Sequence, residues 1–143
     1  MRRFAALYAE LDASTSTQAK LEALRRYFSD APPDDAAWVV YFLAGGKPRQ
    51  VVRTAALRAT ACELAGLSDW LFEASYQVVG DLAETIAHIL PPPTRQSSMG
   101  LAEWMEARIG PLRGADPGTI REALFAAWDE LDWRERFLFV KLI

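Results

Sequence analysis

The chain has 143 residues, 51% of them hydrophobic, which is enough for one globular domain with a real core and excludes intrinsic disorder. Its formal net charge of -3 excludes a protein that coats nucleic acid by bulk charge, so any phosphate binding must come from a local basic patch. A single cysteine excludes an intramolecular disulfide, and with only one histidine beside it the usual four-ligand zinc site is excluded too.

Nearly every segment reads as helix. Phe4, Leu7, Tyr8 and Leu11 fall at the i, i+3, i+4, i+7 spacing that lays one apolar stripe along a first helix. The hydroxyls of Ser14, Thr15, Ser16 and Thr17 then offer N-caps for a second, carrying Leu21, Leu24, Tyr27 and Phe28. Pro32-Pro33-Asp34 opens a third over residues 36–44, apolar almost all round and so expected to form the buried centre, with Trp38 inside it. Gly45-Gly46 ends that helix and Pro48 prevents its resumption, leaving an exposed loop. A fourth helix is predicted over residues 54–65, stopping at Gly66, and a fifth, capped by Ser68, carries Trp70, Leu71, Phe72 and Tyr76. After Gly80 a sixth begins, in which Asp81 and Glu84 have the spacing of a capping-box-like pair.

Pro91-Pro92-Pro93 and the polar residues after them form a Pro-rich loop over 91–99. It joins subparts 1–90 and 100–143 of what is expected to be one all-α domain spanning 1–143. The second subpart is predicted to hold helices over 101–109, 117–131 and 132 to the end, with Trp104, Phe125, Trp128, Trp133 and Phe137 supplying core. No internal repeat and no period-2 strand pattern of useful length occurs.

The polar chemistry points to binding rather than catalysis. None of the three lysines, Lys20, Lys47 and Lys141, precedes x-Asp-Gly, and no Walker sequence occurs, so the chain has no visible means of activating ATP. His88 is a candidate general base whose neighbours are apolar, which leaves a small enzyme as the weakest reading. Asp129, Glu130 and Asp132 read as a solvated helix end and an N-cap rather than a metal site. With no charged-then-apolar leader and no apolar run near the roughly 20 residues of a spanning helix, a reducing cytoplasmic setting without membrane insertion is expected.

Between Asp35 and Glu63 there is no acidic residue, while Lys47, Arg49, Arg53 and Arg58 all fall there. Such side chains donate charge-assisted hydrogen bonds to phosphates, and Gly45 and Gly46 permit close backbone approach. An ordinary solvated basic surface is the competing reading. Gly80 offers a second anion site, because amides at a helix N-terminus favour negative charge, against the alternative of a simple helix cap.

The run Gly45-Gly46-Lys47-Pro48-Arg49-Gln50, followed by Gly80-Asp81-Leu82-Ala83-Glu84-Thr85-Ile86-Ala87, resembles the DNA-binding domain of ATP-dependent DNA ligases, in wording closest to the bacterial repair type. Ala83 stands where eukaryotic relatives commonly have a second glycine. The ending Glu135-Arg136-Phe137-Leu138-Phe139-Val140-Lys141-Leu142-Ile143 looks like that domain's last helix, before a turn toward the adenylation domain. The resemblance implies an all-helical, noncatalytic, nucleoid-associated domain that grips nicked duplex DNA through backbone and minor groove during repair or replication. Its implied DNA contacts are Gly45, Gly46, Lys47, Arg49, Arg53, Arg58, Gly80 and Thr85. Adenylation and oligonucleotide-binding-fold domains of the parent ligase are its implied partners, and ATP and Mg2+ are cofactors of that parent, none being expected in this fragment. The alternative from another class is a helical protein-interaction scaffold without nucleic-acid binding.

Overall fold

In the computed structural model, which describes residues 1–46 and 48–143, the chain is all-helical, with no strand among the described residues. The helices are α1 (Arg2–Ala13), α2 (Thr17–Asp30), α3 (Pro33–Leu43), α4 (Thr54–Ala65), α5 (Asp69–Val79), α6 (Leu82–Ile89), α7 (Leu101–Glu103), α8 (Pro117–Glu130) and α9 (Trp133–Leu142). Their ends follow the capping chemistry. Ser16 accepts from the Ala19 amide, Asp81 from Glu84, and Asp132 forms a reciprocal capping box with Glu135. Ser68 sits at the N-cap of α5 but makes no side-chain cap bond. Helix α7 runs on through a π-helical stretch, Trp104–Ile109, and a 3-10 turn, Gly110–Leu112, where Pro111 has no amide to continue the ladder.

The buried centre is α9 with α6 and α8, not α3. Helix α9 packs on α6 and α1, and its Leu138 and Phe139 meet Ile86, Leu124, Trp128 and Leu131 in a single core that also takes in Phe4 and Phe72. Trp104 abuts Phe139 edge to face, with centroids 5.7 Å apart. Of α3 only Asp35 and Val39 are buried, while Val40, Tyr41 and Leu43 are exposed and Trp38 is half-buried. An all-round apolar helix needs neighbours on every side to be central; this one has α7 on one side and an open cavity on another. Trp104 and Trp128 are fully buried as expected, but Trp133 is exposed, its ring stacked on His88 at 5.8 Å.

The Pro-rich loop is fastened to the end of α8. The amides of Arg95 and Ser97 donate to the carbonyls of Asp129 and Glu130, and the Thr94 amide to the Asp129 carboxylate at 2.9 Å. The preceding carbonyl, Trp128, accepts from the buried Arg136 guanidinium, which also donates to Leu90. Three carbonyls that the helix leaves orphaned at its C-terminus are thereby satisfied, and a cation lies at the negative end of the helix dipole. Asp35 does the converse at α7, accepting from the Ala102 amide at 2.8 Å and so pinning α3 to a helix N-terminus 67 residues away.

Candidate nucleic-acid interface

The loop after α3 owes its shape to two glycines with different duties. Gly45 is left-handed, at φ 89, and donates to Phe42 O, while Gly46 donates to Tyr41 O at 2.8 Å, the two bonds of a Schellman cap. A Cβ on Gly46 would stand 2.5 Å from the Tyr41 carbonyl oxygen. The missing side chain at Gly46 therefore admits Tyr41 rather than a phosphate. At Gly45 the space where a Cβ would go is open. Lys47 lies outside the described residues.

Beyond Pro48 the loop is tethered from behind: Val51 and Val52 amides both donate to the carbonyl of Ile143, and Val52 is fully buried. Arg49 and Arg53 are left exposed on its outer side. Arg49 lines a cavity of about 710 Å³ together with Trp38, Tyr41, Glu106 and Arg113. Arg53, at the N-cap of α4, lines a neighbouring depression with Gly114 and Pro117. Residue 113 and residue 114 thus bring the two arginines to one face, and Arg113 joins them as a third exposed cation. None of these three has an acid partner among the described residues, whereas Arg3, Arg26, Arg95, Arg108 and Arg121 all lie in ion pairs.

Arg58 does not belong to this face. Its guanidinium binds Glu73 at 2.7 Å, donates to the Asp69 carbonyl and covers the Phe72 ring, so it braces α4 against α5. Arg58 has no acidic residue near it along the chain, but Glu73 approaches it from the next helix. Thr85 is likewise withdrawn: it is 1% exposed, and its hydroxyl donates to the Asp81 carbonyl. Gly80 is the left-handed end of α5, at φ 79. The amides beyond it are engaged by the chain's own anion, since the Asp81 carboxylate accepts from Glu84 and is paired with Lys141. Burial works against that carboxylate's charge, but Lys141 and the amides outweigh it and hold its pKa below the ordinary range. The Gly80 turn therefore acts as a helix cap.

The two sequence segments nevertheless converge. Gly46, Pro48 and Gln50 from the loop and Asp81, Leu82 and Lys141 from the other side border one groove of about 580 Å³, with Pro48 on the ridge between it and the Arg49 cavity. The sequence marks neither Lys141 as a neighbour of Asp81 nor Arg113 as a neighbour of Arg49. Their only local signals are a lone basic residue at a helix end and one before Gly114, and neither reveals what it faces. His88 is exposed, 3.9 Å from Glu84 and stacked on Trp133. Among the described residues no group of three or more His, Cys, Asp or Glu is placed to hold a metal ion, and no helix is long and apolar enough to cross a membrane.

The family model described as DNA ligase N terminus matches residues 1–142 of the chain. No curated protein and no solved structure matches it.

Proposed function

The chain belongs to the DNA ligase N-terminal family, and from that membership we propose that it holds nicked duplex DNA for sealing by the catalytic domains of a parent ATP-dependent ligase. The observation that carries this reading is the exposed trio Arg49, Arg53 and Arg113, none ion-paired among the described residues, which line two depressions that meet at residues 113 and 114; Arg2, Arg25 and Arg134 are unpaired as well but line neither. A guanidinium not engaged in an ion pair keeps its planar fork for two oxygens of a phosphate. Three on one face position a duplex without reading its bases. Lys47, between the two glycines and Arg49 in sequence, is proposed to add to the same face.

The division of labour follows from what the chain lacks. The residues present do not fit an ATP and Mg2+ centre: no lysine stands in a Lys-x-Asp-Gly setting, and among the described residues no three His, Cys, Asp or Glu side chains are grouped to hold a metal ion. Adenylation is assigned to the downstream domains, which with the oligonucleotide-binding-fold domain are the proposed partners in repair or replication. A bacterial, cytoplasmic setting is part of the same reading.

The test is a titration of a fluorescent nicked duplex. Arg49→Glu with Arg53→Glu should weaken binding more than tenfold, while Arg121→Ala, whose guanidinium is already held by Glu63, should leave it within about twofold. No measurable binding by the native chain would turn attention to the scaffold reading, which the outward Trp70 and Val78 of α5, 73% and 87% exposed, favour.

A further inference from the structure

The cavity beside Arg49 has more than charge. Three aromatic rings form a column from the core to its wall: Phe4 stacks on Phe42 at 6.0 Å and 13°, and Phe42 on Trp38 at 5.6 Å and 26°. Tyr41 meets the Trp38 ring edge-on at 5.9 Å and 87°. Phe4 is 2% exposed, so the column is anchored in the core at one end and presents Trp38 to the cavity at the other. Stacked from behind and abutted at its edge, the indole is held in place before any ligand arrives, which spares the entropy of ordering it.

The charges around the ring are divided. Arg49 and Arg113 line the cavity with Asp34 and Glu106, and the Trp38 indole N–H points at a Glu106 carboxylate oxygen 3.5 Å away. Asp34 and Glu106 repel a run of phosphates drawn into the cavity itself, so a duplex backbone meets Arg49 and Arg113 from outside it. A single nucleotide suits all four groups: its base lies against the indole, its phosphate meets an arginine, and the carboxylates accept hydrogen bonds from ring or exocyclic N–H groups. The volume of about 710 Å³ is ample for one nucleotide.

We propose that this cavity receives an unpaired nucleotide of a DNA strand, the base stacked on Trp38 and its phosphate on Arg49 or Arg113. The inference rests on the duplex-binding reading above, because the arginines that serve the cavity also belong to the duplex face. In an intact nick every base is stacked within the helix and hidden, so occupancy requires a displaced or overhanging nucleotide. The domain then distinguishes a nick with a displaced strand end from a fully paired one.

The experiment compares a fully paired nicked duplex with the same duplex carrying one unpaired 2-aminopurine nucleotide at the nick, using anisotropy for affinity and 2-aminopurine emission for stacking. The native chain should bind the unpaired form about tenfold more tightly, the scale of one base stacked on an aromatic ring, and quench its emission. Trp38→Ala should abolish both the preference and the quenching while binding the paired nick as before. Ala37→Leu, at an exposed helical position on the cavity wall, should do the same by filling the space, which keeps the test valid if Trp38→Ala does not fold. Equal affinity for the two duplexes would overturn the proposal, as would a preference that survives in the Ala37→Leu variant. So would AMP alone displacing the quenched strand at concentrations comparable to the oligonucleotide, since the occupant would then be a free mononucleotide. Failure to bind even the paired nick would instead overturn the duplex-binding reading.

Discussion

Replacing Arg58 by alanine separates a basic patch read along the chain from the one assembled in space. If Arg49, Arg53 and Arg113 each neutralise one phosphate, log affinity should fall against log salt with a slope of about -2.7, at roughly 0.9 per phosphate, and Lys47 would bring it to about -3.6. At the smaller slope a fourfold rise in salt, from about 50 to about 200 mM, costs about fortyfold in affinity. Arg49→Ala and Arg113→Ala should each flatten the slope by about 0.9 and weaken binding to all duplex sequences alike. Arg58→Ala should leave the slope where it was, because its guanidinium is bound to Glu73 and lies over Phe72. Its effect belongs to stability instead, about 0.5 to 1.5 kcal/mol for a partly exposed ion pair with a ring contact. Fluorescence anisotropy over a salt series, with a thermal melt of each variant, measures both. An Arg58→Ala slope as flat as that of Arg49→Ala would refute the argument and mean that binding is diffuse.

Arg136→Met should destabilise by about 1 to 3 kcal/mol, because the buried Trp128 carbonyl loses its donor; denaturant unfolding monitored by circular dichroism measures this. Trp38→Ala should cost only about 1 to 2 kcal/mol in the same assay, since the ring is half-buried and stacked on Phe42 rather than central. Gly46→Ala should cost about 1 to 3 kcal/mol by forcing the Schellman cap away from Tyr41. Asp81 and Asp129 have carboxyl pKa values below the ordinary 3.8; for Asp81 Lys141 overcomes the opposing burial, and for Asp129 the Thr94 amide leads. Depressed folded values mean that their stabilisation is complete above about pH 4 and is lost as pH falls through the lower folded values, so melting temperature should drop in that range and the drop should shrink in Asp129→Asn. Incubated with labelled ATP and Mg2+, the chain should acquire no covalent AMP; stable adenylation would contradict the assignment of chemistry to other domains.

Local chemistry carried the all-helical fold. Helix α4 begins and ends where Thr54 and Gly66 say it should, and Asp81 and Asp132 cap the helices they precede, because caps and 3.6-residue periodicity act within a few residues of chain. The family was legible too, since the segments around Gly45 and Gly80 lie in a chain matched over residues 1–142.

Which side chains are free to meet a ligand depended on partners distant in sequence. Arg58 looks like Arg49 in the sequence, and only the packing of α5 on α4 brings Glu73 to it. Arg113 stands 60 or more residues from Arg49 and Arg53, and only the fold sets the three on one face. The same holds for burial, because an apolar helix such as α3 can be central or peripheral, and the choice belongs to the helices that reach it. Periodicity and capping are properties of one segment and can be read from it. Exposure and charge pairing are properties of two segments at once, and tertiary structure alone decides which two meet.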